Sequence, residues 1–253
     1  MVNKALVSII TVSAFDSTRL EKTLRSCSEI SNDVEHIIVL PSTDYDSQEL
    51  CSKFNSNNNV QRIIALDGNS GIYPAMNIGA KISTGKYIIF WNSGDELFST
   101  ANLDSLLCEI AIEEPSWAIC AGEFHWKLNE NPSIDLVNRF VVNAYSSFIS
   151  HQTVLVSRKV FFDLGGLNEN FKVAADTAMI TLLKMHSEPL VIDKKVVMVE
   201  KPEYASMHQR RARLEVLLIS IIYLKGKTRI KSLWNLLYRE STNYYKKKRP
   251  NHV

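Results

Sequence analysis

Several polar residues of this chain stand where their types and spacing could do chemistry. Asp95 closes the run Asn92-Ser93-Gly94-Asp95, directly after the apolar stretch Tyr87-Ile88-Ile89-Phe90-Trp91. Ligands of an open α/β sheet bind just beyond the carboxyl ends of its strands, so an acid there is placed for chemistry. A carboxylate in a tight polar turn can hold Mg²⁺ or Mn²⁺, hard cations that take oxygen ligands and bridge phosphates. It can equally cap the helix expected near Asn102 or stabilise its own turn. Asp176 follows Phe171-Lys-Val-Ala-Ala and opens a helix. It is placed either as a general base toward a hydroxyl or as a helix cap favoured by the dipole. His151-Gln152 could hydrogen-bond a sugar or phosphate or serve the core. Glu123, just past Ala121-Gly122, could reach a substrate hydroxyl or simply face solvent.

The elements that must position these residues read as an α/β chain. Leu6–Val12 is a β-branched, apolar run of the kind found in central parallel strands. A helix begins at Asp16 or Ser17 as N-cap and runs to about Cys27. Strands are expected over Val34–Leu40, Val60–Leu66, Tyr87–Trp91, Trp117–Ala121, His151–Val156 and Leu190–Glu200. Helices are expected over Ser47–Phe54, Ile72–Ile82, Asn102–Ile112, Arg158–Leu164 and Asp176–His186, and an irregular excursion over Glu123–Asn138. This alternation predicts a mostly parallel sheet with helices on both faces. The loop Gly68–Asn77 leads into the helix at Ile72, whose N-terminus favours anions, and its glycines let backbone approach a ligand. It carries neither the dinucleotide fingerprint nor the P-loop, so a plain turn is also open.

Length and composition set the outer bounds. The chain has 253 residues, of which 45% are hydrophobic and 22% charged, enough for one large domain or one domain with an appendage. Cys27, Cys51, Cys108 and Cys120 have no C-x-x-C spacing, and no charged segment precedes an apolar one at the N-terminus. Reduced packing thiols and a cytoplasmic location are therefore expected. The net charge of +2 is unevenly spread. Residues 201–253 carry 13 Lys/Arg against 3 Asp/Glu, while the first 200 carry 16 against 24.

Taken in order, Val7-Ser-Ile-Ile-Thr-Val12, Gly71-Ile-Tyr-Pro-Ala-Met-Asn-Ile-Gly79, Thr84-Gly-Lys-Tyr-Ile-Ile-Phe-Trp-Asn-Ser-Gly-Asp95, His151-Gln152 and Phe171–Asp176 carry a resemblance. The chain resembles the family 2 inverting glycosyltransferases of the GT-A fold, in the bacterial branch that builds surface polysaccharides, including colanic-acid and O-antigen enzymes. The likeness spans about residues 5 to 210, and the Gly-Ile-Tyr-x-Ala-Met-Asn and Asn-Ser-Gly-Asp pair is its most specific part.

The resemblance implies a GT-A domain over residues 1–210, Rossmann-like, and an extension over 211–253. It implies a nucleotide-sugar donor, Mn²⁺ or Mg²⁺, and displacement at the anomeric carbon with inversion. Asp176 is then the catalytic base, and Asp95 and His208 the metal ligands. Thr11, Ser13, Asp44, Asn69, Gly71, Met76, Asn77, Asn92 and Ser93 line the donor site, and Glu123, His151 and Gln152 meet the acceptor. One departure is plain: Val39-Leu40-Pro41-Ser42 stands where family members usually carry acids that recognise the nucleotide base, and the first acid to follow is Asp44. This departure keeps open an alternative, a catalytically silent GT-A-like domain that binds carbohydrate or a partner glycosyltransferase.

The extension reads as a basic amphipathic helical segment. Leu214–Leu224 is apolar; Ile230, Leu233, Trp234 and Leu237 form a second stripe; Lys227, Arg229, Lys231, Arg239 and Lys246–Arg249 surround it with positive charge. Such a segment suits the surface of an anionic membrane. With a lipid-diphosphate-linked saccharide as the implied acceptor, it predicts peripheral attachment to the inner face of the cytoplasmic membrane. Packing on the sheet or against a homodimer partner is the other reading. No nucleic-acid-binding module is present, so no nucleic-acid partner is expected.

Overall fold

The computed structural model describes residues 5–54, 61–66, 71–124, 149–200 and 208–226, with only the backbone course for 61–66. The elements in chain order are β1 Val7–Val12, α1 Ser17–Ser26, β2 Val34–Pro41, α2 Tyr45–Phe54, β3 Gln61–Leu66, α3 Ile72–Ile82, β4 Tyr87–Asn92, β5 Glu96–Leu97, α4 Thr100–Glu113 and β6 Trp117–Phe124. A 3₁₀ turn at His151–Thr153 follows, then β7 Val154–Ser157, α5 Arg158–Asp163, α6 Ala175–His186, β8 Leu190–Val199 and α7 Gln209–Tyr223.

The strands form one sheet in the order β3-β2-β1-β4-β7-β6-β8-β5. β1 pairs in parallel with β2 and β4, β2 with β3, and β6 with β8. β7 runs antiparallel to both β4 and β6, and β5 antiparallel to β8. The sheet is therefore mixed, which refines the expectation of a mostly parallel one. The composition of a short buried strand marks its burial and not its direction, so the reversal at β7 has no local signal.

Alternate side chains of the central strands serve opposite faces, as strand geometry requires. Ile10 and Val12 of β1 and Ile88 and Phe90 of β4 join Met76, Ala80, Phe161, Met179 and Leu183 on one face. Val7, Ile9, Tyr87, Ile89 and Trp91 join Leu103, Leu106 and Ile110 on the other. Leu20, Leu24, Ile38, Leu40 and Cys51 form a third cluster where α1 and α2 meet β2. All four cysteines are free thiols; Cys108 alone is exposed.

Caps account for several element boundaries. Asp16 accepts from Arg19 N–H and starts α1, as expected. α2 begins at Tyr45, two residues before the expected Ser47, because Asp44 accepts from Ser47 N–H at 3.2 Å. Ser99 caps α4, which leaves Asp95 free of that duty. The strand expected at His151–Val156 begins instead as the 3₁₀ turn, wound by Thr153 N–H and Oγ1 both donating to Ser150 O. Residues 125–148, most of the expected excursion, lie outside the described residues, as do 227–253 of the basic extension.

One buried carboxylate sets the entry of β4. Glu35 of β2 accepts from Ser8 Oγ at 2.5 Å, from Thr84 N–H and from Gly85 N–H at 2.9 Å. Burial alone would raise its pKa, but these donors outweigh it and hold the carboxyl below its ordinary value. The chain passes so close at Gly85 that a Cβ there would lie 2.7 Å from Ser8 N and 2.9 Å from Val7 C. Backbone cannot yield as a side chain can. Gly85→Ala is expected to destabilise the protein by about 3 kcal/mol, near the upper end for overpacking, as read by denaturant unfolding.

Candidate active site at the carboxyl edge of the sheet

The turn after β4 is built around Asp95. Its Oδ2 accepts from Asn92 N–H at 2.7 Å and its Oδ1 from Glu200 N–H at 2.9 Å, just past β8. Gly94 adopts φ +97°, a left-handed conformation that suits glycine, and its N–H donates to Thr23 Oγ1 at 3.0 Å. Asp95 thus locks a turn and ties β4 to the end of β8. It is 1% exposed. Burial pushes its pKa up to about 6, against the opposing pull of the Asn92 and Glu200 N–H groups, the nearby His151 and the Gln152 side chain.

His151 and Gln152 reach this turn from the start of β7. Trp91 Nε1–H donates to Gln152 O at 3.2 Å, pinning the dipeptide against β4. Asn92 Nδ2 lies 3.4 Å from His151 Nε2. On the other side of the ring, His151 Nδ1 lies 3.1 Å from Asp176 Oδ2. Asp176 Oδ1 in turn accepts from Thr177 N–H at 2.8 Å and from the Tyr73 hydroxyl at 3.3 Å. Burial would raise the Asp176 pKa, but the His151 hydrogen bond and charge, with the Thr177 and Tyr73 donors, hold it below the ordinary carboxylate value. Burial and the Asp176 charge push the Tyr73 phenol upward. Asn92, Asp95, His151, Gln152 and Asp176, singled out separately in the sequence, therefore meet in one hydrogen-bonded line.

Asp176 does not cap its helix. The N-cap of α6 is Ala174, without a side-chain cap bond. The segment leading into α6 is held from α7: Glu215 accepts from Lys172, Val173 and Ala174 N–H at 2.8–3.1 Å and pairs with Arg211 at 2.9 Å. Burial works to raise the Glu215 pKa, and the Lys172, Arg211, Val173 and Ala174 donors together bring it below its ordinary value. The preceding loop is braced by Asn77, which exchanges bonds with Leu167 O and N–H at 2.8 and 2.9 Å and donates to Glu169 at 2.8 Å.

The other residues singled out are placed as follows. Ser13 ends the β1 edge beside Asn92, and its Oγ and the Asn92 Oδ1 are both buried without a protein partner. Orphaned polar atoms of this kind ask for a ligand or water. Ser93 Oγ reaches Asp16 O at 3.4 Å, and Gly71 is the N-cap of α3 at φ +87°. Thr11 is fully buried against His36 Nε2 at 2.9 Å, and Met76 lies in the core. Asp44 is buried, with both oxygens on main-chain donors, Ser47 N–H and Phe15 N–H, the latter at 2.6 Å. Glu123 pairs with Lys195 at 3.0 Å. His208 is the N-cap residue of α7. Asn69 lies outside the described residues.

Three residues of this site went unread in the sequence: Tyr73, Glu200 and Glu215. Tyr73 lies inside the Gly-Ile-Tyr motif without a role read for it, and Glu215 stands out as a lone acid inside the apolar run Leu214–Leu224. Among the described residues no three His, Cys, Asp or Glu side chains gather as metal ligands. Asp95 is an oxygen donor of the type a hard cation takes, but each of its oxygens already accepts one main-chain N–H, so a cation would meet only the remaining lone pairs and complete its shell with phosphate oxygens and water.

A family model described as glycosyl transferase family 2 matches residues 8–163, more than half of the chain. Curated relatives named PGL/p-HBAD biosynthesis glycosyltransferase, from Mycobacterium bovis (strain BCG / Pasteur 1173P2) and Mycobacterium tuberculosis (strain ATCC 25177 / H37Ra), are each 26% identical over 150 residues. The match covers 57% of this chain and 56% of each relative, so the chain spans about half the length of the curated relatives it matches. Among solved structures, S. aureus TarS 1-349 in complex with UDP-GlcNAc superposes with a TM-score of 0.72 at 16% identity, covering 93% of this chain and 72% of that one. The mannosyltransferase PcManGT from Pyrobaculum calidifontis, in complex with GDP-Man and Mn²⁺, gives 0.67 at 15% identity, covering 92% and 69%. At such identities the likeness is one of fold.

Removal of the α7 carboxylate gives a test of the brace. Glu215→Ala is expected to lower stability at pH 7 by about 2 kcal/mol, the range for hydrogen bonds to a charged group. Because the folded pKa is depressed, this contribution is present above the unfolded value and lost as pH falls through the folded one. Thermal unfolding of the two proteins should therefore converge in acid.

Proposed function

This chain belongs to glycosyl transferase family 2, and on that footing we propose that it moves a sugar, with inversion, from a nucleotide-sugar donor to a lipid-diphosphate-linked saccharide in bacterial surface polysaccharide or glycolipid biosynthesis. The observation that carries this reading is the convergence of Asn92, Asp95, His151, Gln152 and Asp176 beyond β4. The relatives named for PGL/p-HBAD biosynthesis support glycosyl transfer, and the fold neighbours in complex with UDP-GlcNAc and GDP-Man are in keeping with a nucleotide-sugar donor.

The division of labour follows from placement. The donor lies along the edge formed by Ser13, Gly71, Asn92 and Ser93, where the orphaned Ser13 Oγ and Asn92 Oδ1 meet its polar groups. Buried Thr11, Met76 and Asp44, with Asn77 through its bonds to Leu167 and Glu169, shape that edge from behind. Asp95, with His208, holds Mn²⁺ or Mg²⁺, which when bound neutralises charge on the diphosphate. Glu123 and the His151-Gln152 pair meet the acceptor. Asp176 is the carboxylate on which deprotonation of the acceptor hydroxyl depends.

Membrane attachment through the C-terminal part gains support from α7. Leu214, Leu217, Leu218, Ile221 and Ile222 are exposed along it, and Arg210, Arg213 and Lys225 flank them on the surface. An apolar stripe with flanking cations suits an anionic bilayer surface. Among the described residues no helix is long and apolar enough to cross a membrane. Leu217→Glu with Leu218→Glu should abolish co-flotation with phosphatidylglycerol vesicles while transfer to a water-soluble acceptor persists. A change of oligomeric mass in place of lost flotation would point to a dimer face.

Calorimetry with UDP- and GDP-sugars in Mn²⁺ tests the central reading. One nucleotide sugar should bind and support transfer. Asp95→Asn and Asp176→Asn should each lower turnover about 100-fold or more with folding retained. Absence of binding by any nucleotide would favour the silent domain, a reading that draws on the missing acids at Val39–Pro41.

A further inference from the structure

The two oxygens of Asp176 are not equally free. Oδ1 accepts from Thr177 N–H at 2.8 Å and from the Tyr73 hydroxyl at 3.3 Å. Among the described residues Oδ2 meets His151 Nδ1 alone, at 3.1 Å, and the side chain is a quarter exposed. We propose that Tyr73 is a positioning residue of the reaction, whose hydroxyl holds Oδ1 so that Oδ2 is the oxygen presented to the acceptor hydroxyl. The inference rests on the glycosyl-transfer reading above, with Asp176 as its base.

The partners of Tyr73 fix the direction of its bond. Its oxygen accepts from Ala175 N–H, and the phenol has one proton to give. An ionised carboxylate only accepts, so that proton points at Oδ1. Burial, with the Asp176 charge, pushes the phenol pKa upward and keeps the proton in place. Tyr73 is buried in the same apolar cluster as Met76, Ala175 and Ala178. The ring is held by packing, and a swing away from α6 would leave its hydroxyl without either partner.

Helix α3 is the common support. Tyr73 and Asn77 are four residues apart and share one helix face. Asn77 holds Leu167 at the start of the loop, and Tyr73 holds Ala175 and Asp176 at its end. The same helix opens at Gly71, on the edge assigned to the donor. One turn of α3 therefore sets the position of the base against the donor, which in-line displacement demands.

The ionisable neighbours of Asp176 are His151 of the 3₁₀ turn and Tyr73 of α3; Glu215 of α7 acts on the Tyr73 phenol through space, and Asp95 and His151 act on each other. Burial works to raise the Asp176 pKa, and the His151 bond and charge, the Thr177 N–H and the Tyr73 hydroxyl outweigh it. Loss of the hydroxyl moves it upward. In the step itself the acceptor proton passes to Oδ2 while the acceptor oxygen bonds to the anomeric carbon. The bond from that carbon to the diphosphate breaks, and its electron pair leaves with the nucleoside diphosphate.

Tyr73→Phe removes the hydroxyl and keeps the packed ring. With the full chain, Mn²⁺, UDP- and GDP-sugars and a synthetic lipid-diphosphate saccharide, turnover is followed as nucleoside diphosphate release. Tyr73→Phe should lower kcat about 10-fold, a part of the loss assigned to the base, with donor affinity by calorimetry unchanged. The acid limb of its kcat/KM profile should move to higher pH. In an Asp176→Ala background the same substitution should change kcat less than 2-fold, because a group that acts through Asp176 has nothing left to position. An unmoved acid limb would overturn the proposal, as would equal losses in the two backgrounds, the mark of a merely structural tyrosine. A wild-type chain that releases no nucleoside diphosphate from any donor would instead overturn the transfer reading, and this one with it.

Discussion

The site depends on one reversal of chain direction. Parallel strands present their carboxyl ends on a single edge, and only the segment entering an antiparallel strand begins on that edge. β7 pairs Tyr87 with Ser157 and Ile89 with Leu155, so the residues before Val154 arrive beside Asn92. Trp91 fixes them there through Gln152 O. Without this reversal His151 and Gln152 would lie at the opposite edge, away from Asp95. The same rule governs β5, whose antiparallel pairing with β8 carries Glu200 N–H to Asp95.

Asp176 depends on two braces from outside its helix. Asn77 holds Leu167 and Glu169, and Glu215 holds the N–H groups of residues 172–174. α3 and α7 thus fix the two ends of one loop, and the helix carrying Asp176 starts where that loop ends. Ile219 of α7 is part of the same apolar cluster as Met179 and Leu183. The start of the basic extension is therefore integral to the sheet's covering layer.

Much of this was legible in the sequence. The apolar runs at β1 and β4, the helix after Gly71 and the acid after Trp91 have local signatures, and each formed where the pattern placed it. Asp95 and Asp176 were both singled out, yet their structural roles differ from the local alternatives: one locks a turn to Glu200, the other leans on His151. What stayed hidden depends on distant partners. Asn77 serves a loop 90 positions away, and Glu215 holds the lead-in to a helix more than 40 positions upstream. Met76 and Asn77 sit in a motif that reads as ligand-facing, but the helical turn directs them into the core and the loop. Spacing along the chain does not reveal which face a neighbouring segment will occupy.

The adjacency of His151 and Gln152 has a consequence for how this scaffold can diverge. One peptide unit carries the partner of Asp176 and, at the next residue, the partner of Asp95. Neither contact can be retuned by moving the backbone without disturbing the other. A displacement of that single peptide would therefore reach both carboxylates at once.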